Sequence, residues 1–151
     1  MVFEQYEELK IKYAAAQKVY DAILTENEEL FAKTQPKGVR FDRERVAGGK
    51  KRGGFDAYLA EKEKRHIDER LAAAKNILVD RQKLLEIKRF ELEMSKNVKD
   101  RIYFLKIVKD QKIPVIAQLL GYSSSQTYRI LREISDVCEK MRQNAKKTVL
   151  E

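Results

Sequence analysis

Within nine residues this chain places Ser124, Ser125, Gln126, Tyr128, Arg129 and Arg132, a set of hydroxyls, one amide and two guanidinium groups. On a helix, Ser125, Arg129 and Arg132 follow one another at spacings of four and three and share a face, with Ser124 and Tyr128 beside them. An arginine fork matches the paired acceptors of a guanine edge, and Ser or Tyr can reach bases or phosphates. The chemistry these residues could do is recognition of double-stranded DNA. Lys112, with Arg101, Lys106 and Lys109, is available just upstream for the phosphate backbone.

The elements needed to hold such a face are legible around it. In the twenty residues IPVIAQLLGYSSSQTYRILR, from Ile113 to Arg132, Ala117 falls fifth, where two crossing helices approach so closely that a small side chain is required. Gly121 falls ninth, where the turn needs a positive φ. Ile116 and Leu120 then lie on one face of a first helix and meet Thr127, Ile130 and Leu131 from a second. A β-branched aliphatic would pack better than Thr127, though threonine keeps the shape and its hydroxyl can bond back to a carbonyl one turn earlier. Ser123 followed three residues later by Gln126 is a capping box that starts the second helix, and Pro114 suits the first turn of the preceding one. The spacing predicts a helix-turn-helix. An ordinary glycine-capped helical hairpin is the alternative, and the hydrogen-bonding, cationic outward face argues against it.

Charge is distributed in the same sense. The chain has 32 Lys plus Arg against 24 Asp plus Glu, and residues 96–151 carry twelve basic and six acidic groups. Residues 36–55 carry seven basic and two acidic, residues 56–95 nine of each, and residues 1–35 four basic and seven acidic. The positive excess therefore lies in a middle loop and around the helix-turn-helix, where DNA binding could release counterions.

No catalytic or metal centre is expected. One cysteine, Cys138, and one histidine, His66, leave no intrachain disulfide and no cluster of soft metal ligands. Cys138 is expected to pack near the end of the last helix and His66 to sit on a solvated helix face. The glycines at 48, 49, 53 and 54 are not followed by the Gly-Lys-Ser/Thr of a P-loop, so no enzyme and no cofactor are expected. No apolar run approaches a membrane span, and the acidic start MVFEQYEELK is unlike a signal peptide, which gives a soluble, cytoplasmic protein as the expectation.

Upstream, Tyr6, Leu9, Tyr13, Ala16, Tyr20, Ile23, Asn27 and Leu30 form a heptad stripe that must be covered, with Asn27 suited to fixing register or oligomeric state. A second long helix is expected after Phe55, capped by Asp56 and running towards Met94, with Leu59, Ile67, Leu71, Ala74, Leu78, Leu85 and Leu92 inward and Arg81 and Lys88 interrupting. Between them PKGVRFDRERVAGGKKRGGF, residues 36–55, is longer than a bundle connection needs. It is either a solvated linker or a basic arm in which Lys50, Lys51 and Arg52 contact phosphate or a protein partner. The expected fold is all-α: a coiled-coil-like helical hairpin over 1–94, oligomerising through its N-terminal stripe into a homodimer, then a helix-turn-helix domain over 95–138 and a basic, fraying tail over 139–151. Ser95–Asp110 is expected as the helix before the motif, packing through Ile102, Leu105, Ile107 and Val108.

The segment DRIYFLKIVKDQKIPVIAQLLGYSSSQTYRILREI resembles region 4 of sigma factors. Placed behind a coiled N-terminal half with a VAGG-containing loop, it resembles the small phage regulators of late-gene transcription, the ArpU and RinA-like group. That resemblance implies a prophage or mobile-element activator that binds a promoter beside host RNA polymerase, with Ser124, Ser125, Tyr128, Arg129 and Arg132 reading DNA. Two other functions fit the same layout: a phage DNA-packaging or assembly protein with the same motif, and a coiled-coil interaction scaffold that binds no DNA.

Overall fold

The N-terminal stripe forms a single helix, α1 (Val2–Thr34), in a computed structural model that describes residues 1–34 and 54–150. The greater part of the expected basic loop, with Lys50, Lys51 and Arg52, lies outside the described residues. The described residues are helical with no strand: α2 (Gly54–Lys64), α3 (Ile67–Met94), α4 (Val98–Tyr103), a π-helical segment (Phe104–Val108), α5 (Ile113–Leu120) and α6 (Ser124–Leu150). The all-α expectation holds. The chain divides into two compact units, Ala16–Leu78 and a second made of Met1–Ala15 with Val79–Glu151.

In the unit Ala16–Leu78, Ile23, Leu30, Tyr58, Ile67 and Ala74 are buried together, with Tyr20 and Leu71 against them. Asn27 accepts a 2.7 Å hydrogen bond from the Tyr58 hydroxyl, so the polar member of the stripe is satisfied within the chain. The expected continuous helix from Asp56 is interrupted. It begins at Gly54, leaving Asp56 inside the first turn instead of at the cap. It then breaks at Arg65 and His66, the latter with φ 53°. Tyr58 and Ile67 are nine residues apart, which on an unbroken helix is half a turn out of phase, so the break is what lets both enter one core. Leu59, expected inward, is correspondingly 44 % exposed. His66 is solvated, but at the break and not on a helix face.

In the other unit the core is Phe3, Leu92, Ile102, Tyr103, Phe104, Ile116, Ile134 and Cys138. The first turns of α1 and the last of α3 thus share a core with the helix-turn-helix, whereas the sequence suggested a division at residue 94. Short helices alone bury little apolar surface, and the added elements supply the missing cover. Arg81, which interrupts the apolar spacing of α3, reaches the Lys12 carbonyl at 2.6 Å. The helix expected from Ser95 starts later because Asn97 caps it, its Oδ1 accepting from Lys99 N at 2.9 Å. It ends in the π-helical segment, where Lys109 N bonds back five residues to Phe104 O at 3.0 Å. That wider turn rotates Ile107 outwards, leaving it 46 % exposed although the spacing placed it in the core.

Candidate nucleic-acid interface

The turn between α5 and α6 is built as the spacing requires. Ala117 is 4 % exposed at the helix crossing and Ile116 is fully buried. Gly121 caps α5 in the left-handed region at φ 74°, and the N–H of Tyr122 closes the turn on Ala117 O at 3.0 Å. A Cβ on Gly121 would meet nothing within 4 Å. Glycine is therefore needed here for its backbone conformation and not for close approach.

The capping box is complete. Gln126 N donates to Ser123 Oγ and Ser123 N to Gln126 Oε1, both at 3.2 Å. Thr127 is fully buried, and its hydroxyl donates to Ser123 O at 3.0 Å, which removes the cost of a polar atom in this core. Ile130 and Leu131 lie partly buried against the same core as Ile116 and Ile134.

With that side fixed, Ser124, Ser125, Gln126, Tyr128, Arg129 and Arg132 are all exposed on α6, and Lys112 is exposed before α5. The carbonyl of Gln126 is occupied by the cap, leaving its amide N–H groups as the outward donors. None of the ion pairs among the described residues involves Arg129, Arg132 or Lys112. From Ser124 to Arg132 the helix rises about 12 Å, the width of a major groove. Beyond it Glu133, Asp136 and Glu139 are exposed on the next turns, so acidic groups separate the arginines at the start of α6 from Lys140, Lys146 and Lys147 further along. Of the expected backbone contacts, Arg101 and Lys109 are exposed and Lys106 is half-buried, with Lys109 Nζ 5.6 Å from the centre of the Phe104 ring.

The tail expected to fray after Cys138 instead continues α6 to Leu150. Half-buried Met141 and Ala145 extend the spacing of Ile134 and Cys138 by three and four, a signal present in the sequence. The other anchor of this helix was not legible. Glu7, on α1 and 2 % exposed, accepts from the Tyr103 hydroxyl at 2.6 Å and from Arg142 Nη2 and Nε at 2.9 and 3.1 Å. Burial pushes its pKa up, but the Tyr103 and Arg142 hydrogen bonds with the Lys10 charge more than offset this, and the carboxyl is held below its ordinary value. Burial, with Glu7 nearby, pushes the Cys138 thiol up to about 11, so it stays protonated and unreactive in the folded chain. Asp100, 1 % exposed, caps α1 by accepting from Phe3 N at 2.9 Å and takes the Ser95 hydroxyl at 2.7 Å.

Among the described residues no three His, Cys, Asp or Glu side chains converge as metal ligands, and no helix is long and apolar enough to cross a membrane. No family model, curated protein or solved structure matches this chain.

Proposed function

We propose that the chain is a sequence-specific DNA-binding transcriptional regulator that inserts the first three turns of α6 into the major groove. The observation that carries this reading is the outward ridge of Ser125, Arg129 and Arg132, flanked by Ser124 and Tyr128, cationic and without ion-pair partners among the described residues. Its rigid support is the fully satisfied turn behind it, because base readout needs side chains held in a fixed register. Arg129 and Arg132 serve as candidate base readers, Ser124, Ser125 and Tyr128 as base or phosphate contacts, and Lys112 as a phosphate contact. The resemblance to phage late-gene regulators makes the proposed role an activator beside host RNA polymerase in the bacterial cytoplasm.

Genomic footprinting of the expressed protein is the test, paired with affinity measured across a salt series on an occupied site and on random DNA. The expected result is a discrete set of promoter sites, bound at least about 10³-fold more tightly than random DNA. Salt-independent association, or none, would overturn the reading. Occupancy at one packaging locus instead of promoters would replace the regulator with an assembly protein.

A further inference from the structure

Away from the outward face of α6, the last three turns of α3 leave Leu84, Ile87, Phe90 and Met94 exposed by 50, 58, 64 and 66 %. Their spacing of three, three and four places them along one side of the helix, away from the side that buries Leu92. The heptad stripe of α1 does not offer a comparable surface, since Ala16, Ile23 and Leu30 are buried within the chain and Tyr6, Tyr13 and Tyr20 are half-buried.

The Leu84–Ile87–Phe90 part of the α3 stripe is palindromic about Ile87, while Met94 falls opposite Asp80. Leu84 and Phe90 stand three residues before and after it, and Lys83 and Glu91 four before and after. A two-fold axis at Ile87 sets the α3 of a second copy antiparallel to the first, which lays Leu84 against Phe90 of the second copy and Lys83 against Glu91 of the second copy, each twice. A parallel pairing would instead oppose Lys83 to Lys83 and Glu91 to Glu91. Within the chain Glu91 is bonded to Lys88 at 2.7 Å, while no carboxylate among the described residues pairs with Lys83.

We infer that the chain forms a homodimer through an antiparallel α3–α3 contact centred on Ile87. Each copy covers at most roughly 400 Å² of apolar side chain there, taking about 100 Å² from each of the four residues, which is below the standard specific interface and in the range of weak, transient contacts. A contact of that size predicts weak, concentration-dependent association.

Equilibrium sedimentation of the full chain without DNA tests this independently of any DNA reading. Wild type should show a monomer–dimer equilibrium, and Ile87→Glu, at a site already exposed, should remain folded by circular dichroism but monomeric. Lys83→Glu alone and Glu91→Lys alone should each weaken association about tenfold by opposing like charges, and an equal mixture of the two variants should restore it, because the charges then match in both reciprocal pairs. A wild type that stays monomeric at its solubility limit overturns the inference. So do single charge variants that associate like wild type, or a dimer broken by Leu119→Glu on α5 and not by Ile87→Glu.

Discussion

Replacing Glu7 with Gln tests whether α6 is anchored by an ionised, buried carboxylate. Glu7 and Tyr103 are 2 and 1 % exposed, whereas the Arg142 side chain is 59 % exposed, so the three bonds do not weigh equally. Glutamine keeps an acceptor for Arg142 and turns its N–H to the Tyr103 oxygen, which reverses that bond, takes the acceptor from the Tyr103 hydroxyl proton and removes charge assistance. The buried Tyr103 bond should lose about 1 kcal/mol and the solvent-screened Arg142 pair up to about 1 kcal/mol, giving a cost near 2 kcal/mol at pH 7. Cys138 is a built-in reporter, being the chain's one thiol, 6 % exposed and in the same core as Tyr103. If thiol labelling requires local opening, about 2 kcal/mol corresponds to labelling roughly 30-fold faster. The pH dependence has a definite sign. Because the folded-state carboxyl lies below its ordinary value of 4.5, the stabilisation is fully present above that pH and is lost as pH falls through the folded-state value. Wild type should lose protection in that acid window, and Glu7→Gln should show a flatter acid limb. Labelling within twofold of wild type at pH 7, with an unchanged acid limb, would refute the ionised anchor.

On the proposed reading, Arg129→Ala should cost about 1–3 kcal/mol on the specific site and much less on random DNA, while Lys112→Ala should weaken both alike and reduce the salt slope by about one; fluorescence anisotropy with both DNAs separates the two roles. Gly121→Ala should cost about 1–2 kcal/mol through its positive φ alone, and Gly121→Val more through β-branching, as read by urea denaturation; a neutral Gly121→Val would contradict the left-handed turn. Thr127→Val should lie within about 1 kcal/mol of wild type in the same assay, because Ser123 O still accepts the Thr127 backbone N–H at 3.0 Å and a buried methyl replaces the hydroxyl. A loss well beyond that would show that the hydroxyl bond itself holds the turn.

The parts of this structure that could be read from sequence are those fixed by spacing along one stretch of chain. Ala117, Gly121, Ser123 and Gln126 act within ten residues of one another, and each stands where its type and position required. The α1 stripe was legible for the same reason. What escaped depends on contacts remote in sequence: the break at His66 exists because Tyr58 and Ile67 must meet Ile23 in one core, and no local pattern encodes that meeting. Glu7 lies beside the apolar stripe and reads as an ordinary solvated acid, since its partners are 96 and 135 residues away. The π-helical segment shares this character, because apolar spacing alone does not distinguish its wider turn from the α-helix that was expected.

These remote contacts bear on the proposed interface through α6 itself. Its first turns carry Arg129 and Arg132, and Arg142, about 20 Å further along the axis, is held by Glu7 from α1. Between them Ile134 and Cys138 are buried in the core that also contains Phe3 and Ile102. A long helix gripped at its middle and again at Arg142 has little freedom to tilt, so the near end presents its side chains in a fixed direction without depending on the α5 turn alone. The exposed acidic residues Glu133, Asp136 and Glu139 act in the same sense. On the proposed reading they oppose a phosphate backbone passing over the turns just beyond Arg132, before the basic groups Lys140, Lys146 and Lys147 are reached. Anchoring thus limits the direction in which the proposed interface faces, a condition for base readout by the start of a helix of 27 residues.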